Sequence, residues 1–570
     1  MSSTASARTA PSASGAFTHR QILTILSGLL LGMFLAALDQ MIVSTAIRTI
    51  GDDLNGLSAQ AWVTTAFLIT STISTPLYGK LSDLYGRKPL FMFAIIVFVT
   101  GSALCGLSTS MYMLAAFRAF QGIGAGGLMS MAFAIMGDII APRDRARYQG
   151  YFMAVFATSS VLGPVVGGFL AGQSAILGIA GWRWIFWINV PIGILALVVV
   201  SRVLHIHHAR RDHRIDWWGA VALVVGLVPL LIIAQQGATW GWLSTPGVAC
   251  YLLGIFGVVG FIFIEGRMGD DALLPLRLFH NGVFSVGSAQ SFVIGIGMFG
   301  GLASIPLYLQ IVKGASPTKA GLLVLPMVAG IMLASMVAGQ VTSRTGRYKI
   351  FPVIGSAFMV IGLLMMSRIG ADTSLIQTDL SMLVFGLGLG MNMQTIVLAM
   401  QNAVAPSDMG VATAATTFFR QMGGTLGAAA FLSILFTSAK TQISTQYAKA
   451  GVSPEFIQAV KDHPQDYKTL HTTLQSSGLN DTAFLHTLNR VIAEPFLIGF
   501  SNAMDLVFLV GAGVLVIAVV LSLMLKEVPL RLQSGLEAAR AAAAAAGDED
   551  ASGATHDPEA ASVGTAGPPK

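Results

Sequence analysis

Fourteen apolar stretches, each long enough to cross a lipid bilayer, occupy most of this chain. They run over about 22–47, 58–78, 89–108, 112–137, 148–172, 183–201, 217–236, 247–265, 283–312, 319–342, 350–368, 377–402, 411–436 and 500–525. A run of roughly 18 or more apolar residues reads as a transmembrane helix. In hydrocarbon the backbone must satisfy its own hydrogen bonds, so helices are the form such runs take. Composition agrees: 54% of the 570 residues are hydrophobic and 11% are charged, against about 25% charged in soluble domains. A soluble globular fold and a largely disordered chain are both excluded. Cys105 and Cys250, the two cysteines, lie in apolar runs, which excludes a disulfide scaffold and a thiolate metal cluster. The first run is too long for a signal peptide, and no small-residue cleavage site ends it. The expected fold class is an all-α membrane protein.

An even number of spans puts both termini on one side, and the charges choose which. With cytoplasmic termini, the inner loops hold Lys80, Arg87, Lys88, Arg143, Arg145, Arg147, Arg202, Arg210, Arg211, Arg214, Arg267, Arg277, Arg344, Arg347 and Lys349. The short outer loops hold Arg48, Arg183, Lys313, Lys319 and Arg368. Basic residues concentrate on cytoplasmic loops, so both ends are expected inside a cell (inner or plasma) membrane. The net charge of +6 is read the same way, as a bilayer signature and not as a nucleic-acid partner. Residues 1–18 and 531–570 are expected to be disordered cytoplasmic tails, and 437–499 a long extracellular loop. Within that loop, Phe484, Leu485, Leu488, Val491 and Ile492 recur at helical spacing, which predicts an amphipathic helix over 481–499 resting on the membrane surface or the outer mouth.

The chain also repeats itself. Shifted by 260 residues, GKLSDLYGRK at 79–88 meets GQVTSRTGRY at 339–348, so that Gly79, Gly86 and Arg87 coincide with Gly339, Gly346 and Arg347. The same shift lays GPVVGG at 163–168 on GGTLGA at 423–428, and a slip of four residues lays QGIGAG at 121–126 on FGLGLG at 385–390. Two six-helix halves of like orientation with an inserted helix pair, 6+2+6, follow from this repeat. The expected division is 19–205 for the first half, 206–280 for the two-helix insert with its flanking loops, and 281–530 for the second half.

LDQMIVSTAI at 38–47, GKLSDLYGRK at 79–88, RAFQGIGAGG at 118–127, GPVVGG at 163–168 and WRWIFWINVPIG at 182–193, taken in order, resemble signature motifs of the major facilitator superfamily. With fourteen spans, the chain over about 20–525 resembles the EmrB/QacA-type drug:proton antiporters of that superfamily. It departs from their usual first motif at Met41 and Arg48. The resemblance implies the major facilitator fold and proton-coupled efflux of lipophilic or cationic small molecules by alternating access. A dedicated exporter or importer of one metabolite, lipid or siderophore on the same fold is the alternative. No bound cofactor is implied, the proton being the coupling ion, and the chain is expected to be a monomer. There is no G-x-S-x-G, H-E-x-x-H or Walker A, so neither an enzyme nor an ATP-driven pump is expected.

Asp39 is a carboxylate inside a span, which by default marks a functional position facing the bundle interior or a wet cavity. Arg118 is its basic counterpart at similar depth, and Gln121 shares its helix face one turn on. They pair directly or through Gln121, either as a static buried ion pair or, as the resemblance implies, as the proton-coupling site. Asp505 either reaches the outer interface or is a second titrating group, and Glu265, at the end of span 8, is read as interfacial. Gly79, Asp83, Gly86, Arg87 and Lys88 form a tight inner turn, and the resemblance implies a conformational latch in which Asp83 meets a helix N-terminus of the other half. Gly163, Pro164, Gly167 and Gly168 offer small faces and a kink, and the resemblance marks them as the antiporter motif. Met33, Phe299, Tyr308 and Asn392 are candidates for the substrate cavity, where thioethers and rings suit varied apolar ligands. His205, His207, His208 and His213 sit in a basic juxtamembrane strip and are not read as a metal site.

Overall fold

Chains that cannot leave backbone groups unpaired in hydrocarbon fold as helices throughout, and this one does. The computed structural model describes residues 18–54, 60–140, 144–204, 216–315, 317–405, 408–476, 485 and 488–530. In order the helices are α1 (His19–Asp53), α2 (Gln60–Tyr85), α3 (Arg87–Cys105), α4 (Met111–Ile139), α5 (Ala146–Ala171), α6 (Trp184–Trp187), α7 (Asn189–Val203), α8 (Trp217–Trp240) and α9 (Thr245–Met268). They continue as α10 (Gly282–Ile311), α11 (Pro317–Leu323), α12 (Leu325–Thr345), α13 (Ile350–Met366), α14 (Leu375–Ala403), α15 (Met409–Ala450), α16 (Pro454–Asp462), α17 (Pro464–Ser476) and α18 (Arg490–Met524). Among the described residues the only β pairing is a lone bridge between Ile176 and Ile179.

Among the described residues, twelve helical segments are long and apolar enough to cross a membrane, against the fourteen expected. The two that fall short have different reasons. Helix α13 is apolar but shorter than the rest. Helix α2 is long, but its Thr/Ser-rich middle (TTAFLITSTIST) lowers its hydropathy. Both are packed into the bundle: Phe67 and Tyr78 of α2 join one core, and Met359 and Leu363 of α13 join the other.

The sequence repeat reappears as repeated contacts. Gly122 and Gly126 let α4 press on the backbone of α2 at Phe67 and Ser71. Gly386 and Gly390 let α14 press on α12 at Met327 and Ile331. Gly124 meets Ala94 and Phe98 of α3, and Gly388 meets Gly355 and Met359 of α13. Glycine at these positions brings helix backbones together, which is how helices associate where lipid gives no hydrophobic drive.

Two expectations need correction. Residues 79–88 are not a loop: α2 continues to Tyr85, and Gly86, at φ 92°, is the whole connection to α3. That left-handed φ suits glycine and allows an abrupt reversal. Residues 437–499 are not an open loop either. Helix α15 runs on to Ala450 and α18 already starts at Arg490, with α16 and α17 between. The two long helices pack side by side: a methyl on Gly499 would lie 2.6 Å from the Ile443 Cα, and the Tyr447 hydroxyl donates to the Ile492 carbonyl at 3.0 Å. The stretch foreseen as a surface-bound amphipathic helix is therefore partly the start of α18. Leu485 and Ile492 are buried in the protein core and not in lipid, while 481–484 and 486–487 lie outside the described residues.

Helices α8 and α9 form a hairpin whose backbones touch at Gly226 and Gly257. Adding a methyl at Gly257 drives it into the Gly226 backbone, whereas nothing lies within 4 Å of one on Gly260. Gly257→Ala is expected to destabilise the purified protein by about 1–3 kcal/mol, the usual range for overpacking. Gly260→Ala should leave the melting temperature in detergent unchanged or slightly raised.

Candidate functional site

Asp39 has no exposed surface, and three donors from two other helices hold its carboxylate. Arg118 donates from Nη1 to Oδ2 at 2.5 Å, Gln121 from Nε2 to Oδ1 at 2.9 Å, and Asn189 from Nδ2 to Oδ1 at 2.7 Å. Gln121 is a double bridge, since its Oε1 accepts from Arg118 at 2.8 Å. Asn189, the first residue of α7, also donates to Ser102 Oγ of α3 at 3.0 Å. The guanidinium carbon of Arg118 lies 3.9 Å from the centre of the Phe67 ring, a cation–π contact that covers its face. Every hydrogen bond to Asp39 runs toward the carboxylate, which is the geometry of its charged form. In a low-dielectric interior such a pair persists only when geometry is good and the remaining lone pairs are satisfied.

The sequence brought Asp39, Arg118 and Gln121 into view and missed Asn189, Ser102 and Phe67. Asn189 was legible in principle, as a single amide inside the apolar run WIFWINVPIG. Asp505 sits apart, on α18 in the second bundle near Tyr308; its Oδ1 has no hydrogen-bond partner. It lies well along α18, because that helix begins earlier than span 14 was placed.

Near Lys80, Arg87 and Arg145, helices of the first bundle meet helices of the second. Gly79 of α2 faces α15 so closely that a methyl there would lie 2.5 Å from the Ala414 Cβ. Arg145, just before α5, reaches Gln401 of α14 with Nη1, while its Nε and Nη2 donate to the Ile140 and Gly137 carbonyls. Gln401 in turn donates to Thr413 of α15 at 2.7 Å. Burial pushes the Arg145 guanidinium down to about 10, against the opposing pull of Asp138, so it remains cationic at neutral pH. Arg87 pairs with Asp138 at 2.7 Å and Lys88 donates to the Ser201 carbonyl at 2.7 Å, both partners lying in the first bundle. Asp83 falls in the last turns of α2, and its side chain lies outside what is described.

Gly163 and Gly167 seat α5 against α1 at Met41 and Ile42, immediately after Asp39, while Gly168 is exposed. Pro164 faces the second bundle, 3.2 Å from the position of a methyl on Gly321 of α11. Among the cavity candidates, Met33 and Asn392 have no exposed surface and Tyr308 only 3%. Asn392 donates to the Gly388 carbonyl at 2.9 Å, Tyr308 to the Gly370 carbonyl at 3.1 Å, and Phe299 packs on Gly424. In this conformation all four pack against neighbouring helices. The four histidines of 205–213 lie outside the described residues, among which no cluster of three or more His, Cys, Asp or Glu is placed to hold a metal.

Residues 29–428 match the sequence model of the Major Facilitator Superfamily. The chain belongs to that superfamily. It is similar to an uncharacterised transporter of the superfamily from Mycobacterium tuberculosis, 37% identical over 510 residues, covering 89% of this chain and 70% of the relative. It is similar also to the multidrug transporter protein MdtP of Bacillus subtilis, 36% identical over 404 residues, covering 71% and 73%. The solved proton:xylose symporter XylE superposes with a TM-score of 0.57 over 92% of this chain and 100% of its own, at 15% identity, a likeness of fold alone. This member of the superfamily is a multi-pass membrane transporter of small molecules, not an enzyme.

The Arg145–Gln401 contact generates a direct test. Gln401→Ala strips a buried cation of a cross-bundle acceptor and is expected to destabilise the protein by about 1.5–3 kcal/mol, the range for bonds to charged groups. Gln401→Glu, which supplies a full countercharge, should instead raise the melting temperature in detergent.

Proposed function

We propose that this transporter is a proton-coupled efflux antiporter of lipophilic or cationic compounds, with fourteen membrane spans arranged 6+2+6 and both termini in the cytoplasm. Residues 19–205 and 281–530 are the two halves that rock against each other, and 206–280 is the insert. The proton is the only coupling partner, and the protein works as a monomer in the cell membrane.

One observation carries the reading: a fully buried carboxylate whose countercharge, Arg118, sits on another helix of the same half. Arg118 is the countercharge of this buried carboxylate, so a displacement that takes Arg118 away leaves Asp39 a charge without a partner, which a proton neutralises. With the basic end open, ionised Asp39 stays bound to Arg118 and substrate enters from the cytoplasm or inner leaflet. With the other end open, a proton reaches Asp39, Arg118 is released and substrate leaves. One proton moving down 100 mV supplies about 2.3 kcal/mol, enough for a roughly fifty-fold concentration gradient. The name of the Bacillus relative supports the substrate class, and the small faces of Gly163 and Gly167 beside Asp39 support antiport. Asp505, outside this network, is a candidate second titrating group.

Proteoliposomes given an imposed pH gradient and several fluorescent organic cations test this. Asp39→Asn is expected to bind substrate but to accumulate it no better than protein-free liposomes. Wild-type accumulation by Asp39→Asn would place the proton path elsewhere. Asp83→Asn should slow transport at an unchanged amount of protein in the membrane; an unchanged rate would remove Asp83 from the latch.

A further inference from the structure

Arg118 is wrapped by Asp39, Gln121 and Phe67, whereas Arg420 of α15 lies as deep in the second bundle with nothing to hold. Among the described residues no hydrogen bond, ion pair or ring contact reaches its guanidinium, and its nitrogens are not sealed from accessible space. The side chain is half-buried. It stands eleven residues into α15, roughly 16 Å from the start of that helix and so near the middle of a hydrocarbon core about 30 Å thick. The buried acids are occupied elsewhere. Asp408 pairs with Arg277 at 3.0 Å, and Asp216 caps α8 at the Gly219 N–H at 2.7 Å. Glu265, expected at the membrane interface, is only 1% exposed and accepts from the Leu274 N–H at 3.1 Å. Asp505 lies by Tyr308, roughly 20 Å along α10 from Gly295, which abuts the Arg420 backbone.

Its neighbours on α15 fix where Arg420 is directed. Thr416, one turn before it, donates to the Met400 sulfur of α14 at 3.0 Å, and Gly424, one turn after it, receives the Phe299 ring of α10. Gln421, the next residue, accepts from Thr75 of α2 at 3.5 Å. Phe418 packs with Ile69 and Ile73 of α2 and with Leu223, Leu227 and Leu231 of α8, which lies over the seam of α2 and α15. Arg420 therefore leaves α15 between α10 and α14 of its own bundle and α2 of the other, toward the space that separates the halves. Phe299, itself half-buried, sets an apolar ring one turn from this free cation. Under the 260 shift Arg420 falls on Ser160 of α5, so only one wall carries the charge.

A charge within the bilayer that keeps no partner is costly and marks a functional position. We propose that Arg420 is an anion-binding residue of the substrate site, which takes the oxyanion head of an amphipathic organic acid whose apolar body lies along Phe299. The proposal rests on the efflux reading above and narrows its substrates from lipophilic or cationic compounds to lipophilic acids. A planar guanidinium presents paired donors that match two oxygens of a carboxylate or sulfonate, and charge-assisted pairs of this kind are the strong ones. A cationic head in the same place meets like charge. Mid-depth, between two repeats, is also where secondary transporters built from repeats hold their substrates.

A matched series tests this: naphthalene sulfonate, naphthalene sulfonamide and naphthyl trimethylammonium share one ring system and differ in charge. Equilibrium dialysis with the full-length protein in detergent is expected to show the sulfonate bound about ten-fold tighter than the sulfonamide, or more, as for a hydrogen bond between charged groups, with the ammonium weakest. Arg420→Gln should weaken the sulfonate by about that factor and leave the sulfonamide within about two-fold, while Arg420→Lys should keep the order. No preference for the sulfonate in the unsubstituted protein, or a preference that survives in Arg420→Gln, would overturn the proposal. Equal weakening of all three compounds by Arg420→Gln would mark a structural role and overturn it as well. If Arg420→Gln fails to reach the membrane, the order of binding in the unsubstituted protein decides the matter. Proteoliposomes under an imposed pH gradient separate the two readings, because a sulfonate stays ionised and does not follow the gradient by itself. Accumulation of the ammonium and not of the sulfonate would overturn the anion site and leave efflux standing. A sulfonate that binds in the expected order but is not accumulated would overturn proton coupling and leave the anion site standing.

Discussion

A charge taken out of water must find donors that stay with it, and the first half is built around that requirement at Asp39. Three helices, α1, α4 and α7, contribute to one carboxylate, and a fourth, α3, is drawn in through Ser102. Any rearrangement that separates these helices has to supply another partner for the anion or neutralise it. In the proposed cycle a proton takes that place.

The same bundle has to remain able to move. Its tight contacts are of two kinds. Within each half, glycines such as Gly126 and Gly390 bring backbones together along whole faces, which favours rigid units. Between the halves, α2 meets α15 at Gly79 on Ala414 and through Ile69, Ile73 and Phe418, α12 packs Ile331 and Met332 on the first core, Arg145 reaches Gln401, and Pro164 nears Gly321.

Much of this was legible beforehand. The long apolar runs, the repeat at offset 260, and Asp39 with Arg118 and Gln121 all follow from residue type and spacing. What escaped has physical reasons. Asn189 and Glu265 look ordinary in sequence, because a polar residue near the end of an apolar run reads as interfacial until a neighbouring helix is seen to cover it. The outward continuation of α15 and α18 was hidden because those segments are polar by composition, and their helicity rests on packing against each other at Gly499 and Tyr447.

The sequence by itself determined that this chain is helical and membrane-borne, since unbroken apolar runs of about twenty residues span a bilayer as helices, and it picked out the one acid placed deep in the first span. Only the tertiary structure decided which donors that acid receives, where the two bundles touch, and that α8 lies over the seam between α2 and α15. Those outcomes depend on side chains hundreds of residues apart meeting at hydrogen-bond distance, such as Arg145 with Gln401 and Asp39 with Asn189. Local periodicity says which face of a helix is buried, but not what it is buried against.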